Sequence, residues 1–90
     1  MTYKLEFKES AKKEFDKLGP DIKDKFRKKL ANVLENPRIA KNKLRGSGSK
    51  DLYKIKLRSD GYRLLYQVFD DEIVIIVITV GKRDNVYSNL

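Results

Sequence analysis

The chain has 90 residues, of which 40% are hydrophobic, 38% charged and 10% aromatic, so it can form one small domain with a thin core but no large cofactor cavity. It contains no cysteine and no histidine, which excludes disulfides, thiolate nucleophiles, histidine acid–base chemistry and zinc sites built on these residues. Twenty-one Lys and Arg against 13 Asp and Glu give a net charge of +8, which favours a polyanionic partner: nucleic acid, an anionic membrane or an acidic protein.

Membrane insertion and secretion are not expected for this chain. Its longest apolar run, Ile73 to Val80, is far shorter than the ~20 residues that span a bilayer. The N-terminal segment lacks the basic-then-apolar pattern of a secretory signal. We therefore expect one soluble, cytoplasmic domain over residues 1–90, with no metal, no cofactor and no membrane contact.

The N-terminal part is predicted to form a strand followed by a helix. Tyr3, Leu5 and Phe7 alternate with polar residues, which is typical of a half-buried strand. The apolar spacing then becomes helical between Ala11 and Leu18, and Gly19 is a plausible end of this first helix.

A second helix is predicted to begin at Pro20 and to end at Asn36-Pro37, because proline suits a first helical turn and disfavours helix just before it. Its apolar stripe consists of Ile22, Phe26, Leu30, Val33 and Leu34. The very short link between the helices indicates an antiparallel hairpin. The lysines on the outer faces of both helices are expected to be mainly solvated, with contact to a nucleic-acid backbone as a second role.

The C-terminal half is predicted to form three strands, over Leu52–Arg58, Tyr62–Phe69 and Ile73–Val80. Ser59-Asp60-Gly61 and Asp70-Asp71-Glu72 separate them as hairpin turns. Residues 38–51 are the least regular stretch. A strand, two helices and a three-stranded meander in this order predict an α+β fold of two layers, with the helix hairpin packed on an antiparallel sheet.

Strand alternation divides the predicted meander into two faces. The face expected to carry the helices contains Tyr53, Ile55, Leu57, Leu64, Tyr66, Val68, Ile73, Ile75 and Val77. The other face carries Lys54, Lys56, Arg58 and Arg63 at one end, and Leu65, Val74, Ile76 and Ile78 at the other. If bare, this apolar end is the kind of patch that marks a partner site. Tyr53, Tyr62 and Tyr66 are assigned to packing.

The four cations have two interpretations. They keep an exposed sheet face soluble, or they hold an anion. A two-residue turn at Asp60-Gly61 would place Arg58 directly opposite Arg63, and such like-charge pairs destabilise a strand pair. An anion between the two groups relieves that cost, and arginine is suited to grip phosphate with two hydrogen bonds.

Several segments, specific in combination, resemble the RelE family, the ribosome-dependent messenger-RNA endonuclease toxins of bacterial type II toxin–antitoxin pairs. The likeness runs from the first strand to the C-terminus. It is carried by Asn42-Lys43-Leu44-Arg45-Gly46, Tyr53-Lys54-Ile55-Lys56-Leu57-Arg58-Ser59, Gly61-Tyr62-Arg63-Leu64, Tyr66-Gln67-Val68, Val80-Gly81-Lys82-Arg83 and Val86-Tyr87.

The resemblance implies cleavage of mRNA in the ribosomal A site by attack of a ribose 2′-hydroxyl on the adjacent phosphate, without a metal. It also implies the residues that carry activity, which match Lys54, Lys56, Arg63, Arg83 and Tyr87 here. Arg58 and Lys82 are predicted to bind RNA. Arg45 either contacts phosphate too or anchors the segment 38–51.

The chemistry of such a cut is compatible with these residues. Without histidine, the base must be a lysine, a tyrosine or a carboxylate, and crowding of like charges favours the neutral form of a lysine. Our hypothesis is that Lys54 or Lys56 is the base, that Arg63 stabilises the transition state and that Arg83 serves the leaving oxygen. Tyr87 orients the 2′-hydroxyl, stacks on a base, or closes over the core.

Two other functions remain open on the sequence alone. One is inhibition of DNA gyrase by a ParE-like toxin, which shares the fold. The other is non-catalytic binding to RNA or the ribosome. If the chain is a toxin of either kind, we expect a cognate antitoxin, which would be RelB-like for the RelE family. This antitoxin should contain an acidic, partly disordered segment that folds on the toxin.

Overall fold

Two helices and four strands make up the regular structure. The computed structural model describes residues 2–38, 43, 52–57 and 61–82. In chain order the elements are β1 (Lys4–Phe7), α1 (Glu9–Asp16), α2 (Pro20–Glu35), β2 (Leu52–Leu57), β3 (Tyr62–Phe69) and β4 (Val74–Lys82). Neither helix is long and apolar enough to cross a membrane, among the residues that the structure describes.

The two predicted helices are confirmed, with one difference at the end of α1. The helix ends at Asp16, and the N–H groups of Lys17 and Leu18 bond to carbonyls three residues back, at 3.3 and 3.1 Å. This tighter last turn satisfies donors beyond the α-helical part. Gly19 then caps α2 in extended conformation, and Pro20 is its first helical residue, as predicted.

The sheet has the strand order β1-β4-β3-β2. β3 pairs antiparallel with both β2 and β4, so the predicted meander is confirmed. β1 pairs in parallel with β4, from Lys4 opposite Val74 to Phe7 opposite Val77. The complete sheet is therefore mixed, because the two helices return the chain so that β1 and β4 run in the same direction.

The helices pack on one face of this sheet, α1 against β4 and α2 against β2. Their core residues are Ala11, Phe15, Phe26, Leu30 and Val33, and the sheet contributes Tyr53, Ile55, Leu57, Leu64, Tyr66, Val68, Ile75, Val77 and Val80. The predicted apolar face is thus confirmed, apart from Ile73. That residue lies before β4 in the turn, with φ 54°, because the strand begins one residue later than expected.

A bulge changes the alternation within β4. Leu65 of β3 faces Thr79, whereas the next residue, Tyr66, faces Val77, so Ile78 has no direct partner. One extra residue in a strand reverses which side chains face the core beyond it. Val80 therefore enters the core, and Thr79 takes the position opposite Leu65.

The predicted register between β2 and β3 is wrong by two residues. Lys56 lies opposite Arg63, and Leu57 lies opposite Tyr62, so four residues, 58–61, remain for the connection. Gly61 has φ 71° and donates its N–H to the Leu57 carbonyl at 2.9 Å. Because side chains alternate with period two, this shift keeps every residue on its predicted face.

A polar network joins the residue before β1 and the segment after α2 to the β3–β4 turn. The Tyr3 hydroxyl donates to Asp70 Oδ1 at 2.7 Å, and the Arg38 guanidinium forms an ion pair with the same carboxylate. Arg38 also reaches the Tyr53 hydroxyl, at 3.5 Å. These contacts hold the chain that enters β1 and the chain that leaves α2 against one turn of the sheet.

This network predicts a pH-dependent contribution to stability. The hydrogen bond from Arg38, followed by that from Tyr3, lowers the pKa of Asp70 below its ordinary value. The ionised carboxylate therefore stabilises the fold in full above the unfolded-state value of about 3.9, and this stabilisation is lost as the pH falls through the folded-state pKa. We expect Asp70→Asn to lower the free energy of unfolding more at pH 6 than at pH 2.

Urea titrations at both pH values measure this difference. Asp24→Asn is the matched control, because it breaks an exposed ion pair with Arg27 on α2 (3.2 Å) and exposed pairs of this kind contribute little. An Asp70→Asn deficit of the same size at both pH values would show that the lost carboxylate charge is not its cause.

Candidate functional site

The face of the sheet away from the helices carries a group of cations from two neighbouring strands. Lys54 and Lys56 belong to β2 and Arg63 belongs to β3, and all three are half-buried. Lys56 lies directly opposite Arg63, and Lys54 lies opposite Leu65. Directly opposed residues of an antiparallel pair have Cβ atoms about 4.5–5.5 Å apart. We call Lys54, Lys56 and Arg63 the cationic face.

Burial of the alternate residues places these cations outward. Tyr53, Ile55 and Leu57 of β2 are 3%, 4% and 5% exposed and belong to the core beneath the helices. A slip of β2 by one residue would turn Lys54 and Lys56 into that core. The same burial that stabilises the strand therefore holds the lysines on the opposite side.

Arg63 combines partial burial with an unsatisfied donor. Its Nε atom is buried and has no hydrogen-bond partner within the described part of the chain. A buried donor without an acceptor costs about 1–3 kcal/mol. A phosphate oxygen would provide the missing acceptor, and a guanidinium can bind phosphate through two parallel hydrogen bonds. The structure thus favours the anion-binding interpretation of the cationic face over a purely solvated one.

The arrangement of like charges differs from the one predicted. The expected pair of Arg58 and Arg63 is wrong, because Lys56 occupies the position opposite Arg63. Two cations again lie in directly opposed positions, here Lys56 and Arg63, and like charges in such positions repel. Arg63 forms no ion pair with a carboxylate in residues 2–38, 43, 52–57 and 61–82. An anionic substrate would reduce this repulsion.

Two buried tyrosines near the cationic face belong to the core, as predicted. Tyr53 and Tyr66 stack with ring centroids 5.5 Å apart and an interplanar angle of 12°. The Tyr66 hydroxyl donates to the Pro37 carbonyl at 2.9 Å, and burial raises the pKa of this phenol. Tyr66 therefore stays protonated and is not the base. Tyr62 is partly buried against the same core, again as predicted.

Lys82 is not brought together with the cationic face. It is exposed at the end of β4 and lies opposite Tyr62, whose side chain packs against the helix-side core. Paired residues of a sheet point to the same side, so Lys82 lies on the other face from Arg63. Its predicted RNA contact stays a prediction.

Four predicted site residues lie outside the described residues: Arg45, Arg58, Arg83 and Tyr87. Their roles remain predictions. Lys43 had no predicted role. It is exposed and forms an isolated antiparallel bridge with Tyr53. This bridge places another cation beside the outer edge of β2. The only sequence signal for it is its position in the segment Asn42-Lys43-Leu44-Arg45-Gly46.

Comparisons with known proteins place this fold in a family. Residues 5–87 match the family model of the ParE toxin of the type II toxin–antitoxin system parDE. The mRNA interferase toxin RelE of Escherichia coli K12 is 57% identical over 90 residues, which cover 98% of this chain and 93% of that protein.

Solved structures give the same relationship. The isolated E. coli RelE toxin superposes with a TM-score of 0.85 at 57% identity, covering 96% of this chain and 92% of the other. RelE in the intact E. coli RelBE toxin–antitoxin complex gives a TM-score of 0.84 at 57% identity, covering 89% of this chain and 95% of the other. The chain therefore belongs to the RelE/ParE superfamily of type II toxins.

Proposed function

We propose that this chain is an mRNA interferase, the toxin of a type II toxin–antitoxin pair, which cleaves mRNA in the ribosomal A site and so inhibits translation. The observation that carries this proposal is Arg63, whose buried Nε lacks a partner and which lies opposite Lys56 on the cationic face. The same chain is 57% identical to an mRNA interferase over nearly the whole of both sequences.

The proposed reaction is an internal transesterification of RNA. The ribose 2′-oxygen attacks the adjacent phosphorus, the bond from phosphorus to the 5′-oxygen breaks, and a 2′,3′-cyclic phosphate and a 5′-hydroxyl result. A base takes the proton of the 2′-hydroxyl, and the leaving 5′-oxygen receives a proton. Negative charge accumulates on the phosphate oxygens between these events, so cations placed around them lower the barrier.

The cationic face supplies two of these functions. Lys54 or Lys56 acts as the base, since each is a half-exposed amine next to another cation. Arg63 binds the phosphate and stabilises its developing charge through guanidinium N–H groups. Arg83 protonates the leaving 5′-oxygen or stabilises its charge. Tyr87 orients the 2′-hydroxyl or stacks on a nucleobase. The ribosome holds the codon against this surface, which supplies the positioning part of catalysis.

Three partners and a location accompany this function. The ribosomal small subunit and mRNA are polyanions, which suits a net charge of +8. A RelB-like antitoxin neutralises the toxin, and RelE of the E. coli RelBE complex shares this fold. The chain acts in the cytoplasm, where its ribosomal substrate is found.

The test is cleavage of a defined mRNA with and without programmed 70S ribosomes, for the wild type and for Arg83→Ala. We expect cutting at the A-site codon only in the presence of ribosomes, and loss of cutting in the variant. The dependence on metal ions is tested with EDTA on free RNA only, because chelation would damage the ribosomes. If free RNA is cut as fast as ribosome-bound mRNA, the proposed reaction is supported but the ribosome is not an obligatory partner.

Gyrase inhibition is the second candidate, because the matching family model describes the ParE toxin. A DNA supercoiling assay with purified gyrase separates the two functions. Blocked supercoiling together with intact mRNA would favour the ParE activity. Tight ribosome binding without cleavage, weakened by Lys54→Ala and Arg83→Ala alike, would instead identify a binding module.

A further inference from the structure

We propose that Gly81 is a positioning residue, whose missing side chain leaves the space beside Arg63 in which the scissile phosphate is held. This inference rests on the proposed nuclease function and adds how the site admits its substrate. It concerns a residue of β4, whereas the cations of the described site come from β2 and β3.

Three neighbouring strands place Gly81 in one row with Lys56 and Arg63 of the cationic face. Lys56 of β2 lies opposite Arg63 of β3, and Arg63 lies opposite Gly81 of β4. Directly opposed Cβ atoms are about 4.5–5.5 Å apart and point to the same side. A side chain at position 81 would therefore stand next to Arg63, on the flank that Lys56 does not occupy.

The backbone does not require glycine at this position. Among the described glycines only Gly61 has a positive φ, so β4 passes through residue 81 in a conformation open to other residues. Glycine inside a regular element is destabilising relative to alanine. Within a strand it commonly marks a place where a ligand or another backbone approaches closely.

The neighbouring sequence makes this glycine conspicuous. Every residue of β4 from Val74 to Val80 is β-branched, the residue type that best fills a sheet surface. The run ends where the strand meets Arg63. The switch from bulky residues to no side chain at all therefore coincides with the position of β4 that lies opposite Arg63, whose Nε is buried.

Among residues 2–38, 43, 52–57 and 61–82, the neighbours of Arg63 on this face leave the β4 side as the approach for an anion. Along the same face, Leu65 is 0% exposed and its partner Thr79 is 2% exposed, so neither position admits a ligand. Lys56 stands on the β2 side. Gly81 is half-buried, and the buried Nε of Arg63 lacks a partner in the described residues. A phosphate seated over Gly81 would accept that hydrogen bond.

Gly81→Ala and Gly81→Val test the proposal by measuring cleavage and stability together. We expect kcat for cleavage on programmed ribosomes to fall about tenfold for alanine and about a hundredfold for valine, because the phosphate is displaced from its near-attack position. The free energy of unfolding should stay the same or rise, since both residues suit a strand better than glycine does. A loss of cleavage that accompanies lower stability would assign Gly81 a structural role and overturn the proposal.

Gly19→Ala is the matched control. Gly19 precedes α2 with φ −65°, and an added Cβ there would have no heavy atom within 4 Å. The same chemical change far from Arg63 should leave kcat unchanged. Cleavage by Gly81→Val at the wild-type rate would also overturn the proposal while leaving the nuclease function intact.

A second measurement does not depend on cleavage. The Nε–H resonance of Arg63 in ¹⁵N-labelled protein is followed during titration with inorganic phosphate. We expect a saturable shift in the wild type and in Gly19→Ala, and a weaker apparent affinity, by about tenfold, in Gly81→Val. If the wild type cleaves no mRNA but shows this difference in affinity, the proposed nuclease function fails, whereas phosphate binding beside Arg63 and Gly81 is supported. Equal phosphate affinity in all variants would refute phosphate binding at this position.

Discussion

Replacing Arg63 with alanine is expected to lower kcat for mRNA cleavage on programmed ribosomes by about 10²–10³-fold, the usual effect of removing a preorganised donor that stabilises a developing oxyanion. The reason is the position of its guanidinium, which is half-buried, has an unsatisfied Nε and lies opposite Lys56. Binding to the ribosome should change little, because a single residue of a chain with a net charge of +8 contributes a small part of the total attraction.

Single-turnover cleavage and ribosome pelleting measure these two effects separately. Arg27→Ala is the control, since Arg27 is an exposed arginine of α2 paired with Asp24, and its removal should leave kcat unchanged. Arg63→Lys keeps the charge but loses the planar fork, so it should recover only part of the activity. Equal losses of binding and of cleavage in Arg63→Ala would contradict a role specific to the transition state.

Arginine substitution of the two lysines should identify the base. Lys54→Arg and Lys56→Arg keep a positive charge on the cationic face, but a guanidinium stays protonated and cannot accept the proton of the 2′-hydroxyl. We expect one of the two variants to lose about 10²–10⁴-fold in kcat, the usual contribution of a general base. The other should remain within about tenfold of the wild type, because its electrostatic role survives.

The pH dependence of single-turnover cleavage checks this assignment. A lysine base should make the wild-type rate rise with pH until the amine is neutral, and this rise should be absent in the inactive arginine variant. Lys54→Ala and Lys56→Ala provide the matched pair in which charge is lost as well. A rate that is flat from about pH 6 to pH 10, or full activity in both arginine variants, would exclude a lysine base.

Much of this fold could be predicted because local patterns and burial agree. The helical spacing of Phe26, Leu30 and Val33 predicted α2, and these three residues lie in the core. Pro20 and Gly19 stand where the helix begins. The alternation of Tyr53, Ile55 and Leu57 with Lys54 and Lys56 predicted both faces of β2, because only one face of that strand can be buried.

The register between β2 and β3 was predicted wrongly, and the partner strand of β1 was not predicted at all. The pairing of Arg58 with Arg63 was wrong, although alternation predicted the face of Arg63 correctly. Parallel pairing of β1 with β4 and the bulge near Thr79 left no local signal. The network of Tyr3, Asp70 and Arg38 joins residues up to 67 positions apart, which no spacing rule connects.

The elements, the apolar and cationic faces of the sheet and the family resemblance could all be predicted from the chain, because period and residue type are local properties. Which cations lie opposite one another depends on strand pairing. A shift of two residues keeps every side chain on its face, so alternation cannot distinguish Lys56 opposite Arg63 from Arg58 opposite Arg63. Only the pairing of three strands sets Lys56, Arg63 and Gly81 in one row, where a buried donor is left facing a strand position without a side chain.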